Sequence, residues 1–334
     1  MGSVLLFQAG PLGDSLFTAA LSDIIKKEKP QMKVVMYTSP AAAEMLKDNN
    51  NIDSYIFHTG NFLKDIKNLR KENFSFLIDT WATGDAFYRV IFSRASHKIS
   101  FKKKKVDELR VPLIYSHQIR YKNYGYVFWD RIQLLKALGI NVSKYIGKEL
   151  PSFKVSSENI QKSLKILHDL GIKKDNFFLI TPVGKWRTKT IPPKLVKEIA
   201  EKLHQKYNLP IVLASHPSDK NMLNEIKSLA NYPYLHIVTT ESLRIFAGLI
   251  ALSKHLISVE SLPYHIAVGL RKTSTVILGG FPIWKPPNYS KLNFVNIDME
   301  CKFCSSKTCK KGNYECLNKI SSLDVINKVD ELLQ

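Results

Sequence analysis

The sequence predicts an α/β protein of two similar halves, each built on a parallel sheet. Three observations predict it. Short, wholly apolar runs alternate with stretches of helical periodicity, the pattern of strands buried on both faces between covering helices. The pattern restarts after about residue 155. Each half opens with an apolar strand running into a loop rich in glycine or in cations, and ligands of open α/β sheets gather beyond the carboxyl ends of strands.

In the first half, Val4-Leu5-Leu6-Phe7 reads as a buried strand, followed by the loop Gly10-Pro11-Leu12-Gly13-Asp14. Leu16, Ala19, Ala20 and Ile24 then recur at helical spacing. Val34-Val35-Met36-Tyr37, Ser54-Tyr55-Ile56-Phe57 and Phe76-Leu77-Ile78-Asp79 read as further strands, with helices over residues 41–47 and 63–71. In the second half a helix over residues 157–170 is stopped by Gly171, and Phe177-Phe178-Leu179-Ile180 is a buried strand. Pro192-Pro193 opens a helix reaching Tyr207, because proline suits a first helical turn. Strands follow at Ile211-Val212-Leu213-Ala214, Leu256-Ile257-Ser258-Val259 and Thr275-Val276-Ile277-Leu278, with a helix over 262–270 and a closing amphipathic helix over 323–333. The domains expected are residues 1–155, residues 156–320, and a C-terminal helix in 321–334.

Composition narrows the function. Hydrophobic residues at 45% and charged residues at 23% exclude a disordered chain, a collagen-like chain and a small disulfide scaffold. Lys and Arg number 49 against 29 Asp and Glu, a formal charge of +20, which favours anionic partners: nucleic acid, anionic lipid or a phosphorylated substrate. The longest apolar run, residues 245–252, is far short of the roughly 20 residues that cross a bilayer. The first residues lack a basic n-region, and Leu6 breaks a myristoylation pattern. These features place the chain in the cytoplasm, with peripheral contact to an anionic membrane available through charge. No helix-turn-helix, RRM or finger signature is present and the cations are dispersed, so a nucleic-acid partner is not expected.

Four segments carry chemistry. Asp14, just past a buried strand, suits a general base or a ligand for a substrate hydroxyl; it equally suits a helix cap. Gly10 and Gly13 permit close backbone approach. The loop Gly184-Lys185-Trp186-Arg187-Thr188-Lys189-Thr190 sets three cations and two hydroxyls ahead of a helix, a phosphate-binding pattern, or else a solvated basic loop. It lacks the second glycine and the Lys-Ser/Thr ending of a Walker A loop, and no G-x-G-x-x-G occurs after the first strand. Val259-Glu260-Ser261-Leu262-Pro263-Tyr264-His265 again runs from strand into helix, bringing Glu260 and Ser261 to a strand end; His265 is a ligand-facing or simply a packed residue. Cys301, Cys304, Cys309 and Cys316 follow C-x2-C-x4-C-x6-C, which suits tetrahedral zinc or an iron, free thiols, or two disulfides. The run Lys102, Lys103, Lys104, Lys105 is a solvated loop or a contact for acceptor phosphates or anionic lipid.

The ordered set resembles glycosyltransferase family 9, the lipopolysaccharide heptosyltransferases. Gly10-Pro11-Leu12-Gly13-Asp14 resembles the family's N-terminal loop. Thr188-Lys189-Thr190-Ile191-Pro192 is similar to its Lys-x-Trp-Pro element, with Ile191 for Trp. Val259 to Ala267 resembles its Asp-Thr-Gly-x-x-His-x-Ala element, with Glu260-Ser261-Leu262 for Asp-Thr-Gly. The cysteine stretch looks like the C-terminal segment of many members, above all of the heptosyltransferase II type. The resemblance implies a GT-B architecture, two Rossmann-like domains facing across a cleft, and an inverting transfer that requires no cofactor. It implies Asp14 as the base on the acceptor hydroxyl and Lys189 against the leaving diphosphate. Gly13, Thr188, Glu260, Ser261, Leu262 and His265 would hold the donor. The acidic residue near the ribose has no clear match; Asp219, beside His216, is the nearest candidate. The implied donor is ADP-heptose and the acceptor an anionic glycolipid of the lipopolysaccharide core. Alternatives are transfer to an autotransporter-type protein, another nucleotide sugar, a non-catalytic sugar-nucleotide binder, or a basic nucleic-acid-binding protein.

Overall fold

In the computed structural model, residues 2–81, 83–102, 114–229, 232–287 and 289–334 are described. The chain divides into two compact units, Met1–Lys154 and Val155–Gln334.

The first unit is built on six strands: β1 (Ser3–Phe7), β2 (Lys33–Thr38), β3 (Ser54–Phe57), β4 (Phe74–Asp79), β5 (Ala95–Phe101) and β6 (His117–Ile119). Every pair is parallel, in the order β3-β2-β1-β4-β5-β6. Val4, Leu5, Leu6 and Phe7 of β1 are fully buried, as a central strand covered on both faces must be. Helices begin where side chains can satisfy their first free N–H groups: Ser39 caps Pro40–Leu46, Asn61 caps Phe62–Leu69 and Thr83 caps Gly84–Phe92. Leu5, Phe7, Val35, Tyr37, Leu77, Ala86 and Val90 form much of one core cluster.

The second unit repeats the plan with β7 (Phe178–Thr181), β8 (Ile211–Ser215), β9 (Leu235–Thr239), β10 (His255–Val259), β11 (Ser274–Ile277) and β12 (Leu292–Val295). Its order is β12-β11-β10-β7-β8-β9, again parallel throughout. Counted from its own first strand, each sheet therefore reads third, second, first, fourth, fifth, sixth. That is the doubly wound Rossmann order, whose crevice opens between the first and fourth strands where the winding reverses. The apolar run of residues 245–252 lies in the helix Leu243–Leu252, which packs against Ser157–Asp169; the Ser163 hydroxyl donates to the Ile245 carbonyl at 2.9 Å. A helix apolar nearly all round is one that is buried nearly all round. The last helix, Ser322–Leu333, lays Val325, Ile326 and Val329 into the core formed with Val196, Ile199 and Leu203 of the helix Pro193–Tyr207, and Asp330 accepts hydrogen bonds from Lys206 and Tyr207. Among the described residues no helix is long and apolar enough to cross a membrane.

Candidate active site

In the first unit the crevice lies between β1 and β4. The chain leaves β1, turns at Pro11 and starts the helix Leu12–Ala19 with Gly13 and Asp14 in its first turn. Pro11 is the N-cap and no side chain caps this helix, so Asp14 does not serve as its cap. Its Oδ1 is instead ion-paired with Arg131, from the helix Val127–Ile132. Arg131 also donates to the Asp14 carbonyl, and to Thr18 Oγ1 at 3.0 Å. Thr18 in turn shares a 2.7 Å hydrogen bond with Thr80, just past β4, so the helix that follows β1 is tied to the segment leaving β4. Arg131 is buried, and burial draws its pKa below the ordinary value against the pull of the Asp14 carboxylate. Asp14 Oδ2 takes no hydrogen bond among the described residues. One carboxylate oxygen is thus held by Arg131, and the other makes no such bond among the described residues. Sequence reading missed Arg131: it lies 117 residues away with no local signal.

Lys102, beyond the end of β5, is exposed, and its amide donates to the Ile119 carbonyl at 2.9 Å. Lys103, Lys104 and Lys105 lie outside the described residues.

In the second unit the crevice lies between β7 and β10. The loop after β7 closes tightly: the Ile191 amide donates to Pro182 at 2.9 Å and the Lys189 amide to Trp186 at 2.8 Å. A Cβ at Gly184 would sit 2.2 Å from the Lys189 carbonyl oxygen, so only glycine fits there. The short 3-10 turn Arg187–Lys189 then presents Lys189, whose Nζ is ion-paired with Glu260 and lies 4.1 Å from the Phe281 ring centroid. Glu260 follows β10 directly. The pair is largely withdrawn from water, with side-chain exposures of 17% for Lys189 and 10% for Glu260.

Beyond Glu260, Ser261 is the N-cap residue of the helix Leu262–Gly269 but makes no capping bond. Its Oγ is buried with no hydrogen-bond partner among the described residues. Leu262 is the first helical residue, where the family pattern has glycine. His265 is buried with its ring 3.9 Å from that of Tyr264. Asp219 ends a short turn after β8 and accepts from Ser215 Oγ at 2.5 Å and Ser218 Oγ at 3.4 Å. Thr188, 1% exposed, turns away from Lys189 and donates through its hydroxyl to the Ser306 carbonyl at 2.8 Å.

The four cysteines are free. Backbone N–H groups, first that of Tyr314, hold the Cys309 thiol below its ordinary pKa. Burial, followed by the neighbouring Cys309, Cys301 and Cys304, pushes Cys316 up. Among the described residues no group of three or more His, Cys, Asp or Glu is arranged to hold a metal ion, so the zinc or iron anticipated from the spacing finds no preformed ligand set there.

Two doubly wound units, each on a parallel six-stranded sheet, give the chain the GT-B fold class. The sequence profile of glycosyltransferase family 9 (heptosyltransferase) matches residues 62–315, and the chain belongs to this family. The structure is similar to a family 9 glycosyltransferase from Veillonella parvula, with TM-score 0.82, 15% identity, 99% of this chain and 97% of that one covered. It is similar to E. coli ADP-heptose lps heptosyltransferase II, with TM-score 0.77, 17% identity and coverages of 100% and 98%. It is also similar to E. coli heptosyltransferase WaaC with ADP-2-deoxy-2-fluoro heptose, with TM-score 0.76, 15% identity and coverages of 98% and 99%. No curated protein sequence matches the chain.

Proposed function

We propose that this glycosyltransferase moves a heptose from ADP-heptose, with inversion, to a hydroxyl of a lipopolysaccharide-core or related anionic glycolipid acceptor. The observation that carries the reading is Lys189, a cation at the winding reversal of the second sheet, held beside Glu260 and the start of the helix Leu262–Gly269. A departing nucleoside diphosphate needs stabilisation of this kind, from a positioned cation and the N–H groups of a helix start. In this reading residues 1–155 bind the acceptor and residues 156–320 the donor. Asp14 Oδ2 takes the proton of the acceptor hydroxyl, and the oxygen forms its bond to the anomeric carbon. The bond from that carbon to the diphosphate breaks, and the leaving oxygen's charge falls to Lys189. Ser261, with its unbonded hydroxyl, and His265 are assigned to the donor, as are Gly13, Leu262 and Asp219, while Glu260 acts at the donor site through its pairing with Lys189. The transfer needs no cofactor. The charge of +20 supports an anionic acceptor and contact with the inner face of an anionic membrane from the cytoplasmic side.

The test is thermal stabilisation by ADP, UDP, GDP and CMP. A ligand bound only by the folded state adds about 2.7 kcal/mol at a hundred times its Kd. Selective stabilisation by ADP is expected. Selective stabilisation by UDP or GDP would keep the transferase and replace the donor. No response to any of the four would overturn the reading.

A further inference from the structure

Thr188 stands at the junction of three chain segments. Its carbonyl accepts the Gly280 amide at 3.2 Å. Its hydroxyl donates to the Ser306 carbonyl at 2.8 Å, with the Lys307 carbonyl at 3.3 Å. The circuit closes where the Ser305 amide donates to the Gly280 carbonyl at 2.6 Å. The contact is close: a Cβ at Gly279 would lie 2.2 Å from the Thr188 carbonyl oxygen. The residue after Gly280 is Phe281, whose ring lies against the Lys189 ammonium. Two outer contacts flank the junction. Lys307 Nζ lies 4.7 Å from the Trp186 ring centroid, and the Arg187 guanidinium 5.9 Å from that of Tyr314.

We propose that Thr188 is a positioning residue, through which the cysteine-bearing segment 301–316 sets where Lys189 stands. The reason is mechanical. Successive Cα atoms are held about 3.8 Å apart, so a shift of Thr188 moves Lys189 with it. A buried hydroxyl shared between two carbonyls resists that shift, because losing it leaves two acceptors without their donor. The Gly279–Gly280–Phe281 stretch connects the same junction to the ring against Lys189, so the ammonium is located from its backbone side and from its ring side by one network. This assigns the long C-terminal segment a role in the donor site without any cysteine touching a substrate, and it rests on the reading of Lys189 as a diphosphate ligand.

The experiment measures ADP affinity by calorimetry on the full chain and four variants: Thr188→Val, Thr188→Ser, Lys189→Ala, and the double change of Thr188→Val with Lys189→Ala. Thr188→Val is expected to weaken ADP about tenfold, the scale of one misplaced charged hydrogen bond. Thr188→Ser keeps the donor hydroxyl and is expected to bind within about twofold of the unaltered protein. The double variant is expected to bind no more weakly than Lys189→Ala alone, since a residue that acts through Lys189 has no effect in its absence. A Thr188→Val loss that persists in full beside Lys189→Ala overturns the proposal, as does a Thr188→Val protein that binds like the unaltered one while Lys189→Ala binds poorly. Failure of ADP to bind the unaltered protein, or unchanged affinity in Lys189→Ala, overturns the reading of Lys189 and the proposal with it. Should Thr188→Val not fold, hydrogen exchange on the unaltered chain decides: ADP is expected to slow exchange at the Gly280 and Ser305 amides, and unchanged exchange at both overturns the proposal.

Discussion

Lys189 and Glu260 form an ion pair over the reversal point of the second sheet, one from the loop after β7 and the other directly after the neighbouring β10. The adjacency of the two strands, not proximity in the chain, brings them together. A pair this withdrawn from water is held by its partner's charge, and removing one member strands the other. A diphosphate reaching Lys189 must therefore share the cation with a carboxylate.

That competition sets the effect of Glu260→Gln. Removing the charge while keeping the shape should strengthen ADP binding by about three- to tenfold, on the order of 1 kcal/mol. Added salt should shrink the gain, because screening weakens the repulsion being relieved. Calorimetry at two salt concentrations checks both. Weaker ADP binding in Glu260→Gln would show that the carboxylate supports the nucleotide instead of competing with it.

Asp14→Asn should separate chemistry from donor binding. A positioned general base contributes about 10²–10⁴ in rate, and transfer should fall by that order. ADP affinity should stay within about twofold, because the asparagine leaves the donor-binding residues untouched. Loss of both together would refute the base role.

His255 should give the second unit an acid-sensitive stability. It is fully buried at the start of β10, between the hydroxyls of Thr273 at 3.1 Å and Thr275 at 2.9 Å. Burial, helped by the charge of Lys272, brings its pKa down to about 3. The unfolded chain takes up a proton near pH 6.5 and the folded one does not, so stability is full above pH 6.5 and is lost as pH falls toward 3. The slope is about 1.4 kcal/mol per pH unit. In His255→Gln, denaturant titrations between pH 6.5 and 4 should lose this slope; an unchanged slope would assign it to other groups.

Asp65 and Arg89 should prove the most sensitive charged pair of the first unit. Arg89 is 2% exposed and Asp65 is fully buried, with Arg89 Nε 2.9 Å from Asp65 Oδ2 and further hydrogen bonds from Thr59 and Tyr37. Among the described residues, Asp65→Ala leaves the buried guanidinium with the exposed Asp85 as its counter-charge. A cost of about 3–5 kcal/mol is expected by denaturant unfolding. A cost under about 1 kcal/mol would mean that water enters the site and replaces the carboxylate.

The sequence showed the central strands well, and the edge strand β3 with them, but missed β5, β6, β9 and β12, for a reason visible in burial. Val4 to Phe7 and Ile211 to Ala214 are buried on both faces and so are written as unbroken apolar runs. β6, β9 and β12 lie at sheet edges, where His-Gln-Ile, Leu-His-Ile-Val-Thr and Leu-Asn-Phe-Val mix polar and apolar positions, and β5 is half-exposed along Ala95–Phe101. None of these four stands out by periodicity. The candidate site divides in the same way. Asp14, Lys189 and Glu260 stood out because each lies in the segment that leads out of a buried strand. Arg131, Phe281 and the inward turn of Thr188 were not, because they depend on contacts between segments distant in the chain, which no local spacing records.

The place of the final helix bears on the order in which the protein is made. All six strands of the first sheet are complete by Ile119, and that unit ends at Lys154. At roughly 5–20 residues per second, and with domains folding as units from the N-terminus, the first half can reach its native form while the second is still being synthesised. The second half cannot finish in step. Val325, Ile326 and Val329 complete the core around Val196 and Ile199, so that core stays open until the last turns of the unit emerge. For roughly ten seconds or more the nascent chain therefore carries one finished half beside an exposed, half-built sheet, and that interval is when a chaperone has most to protect.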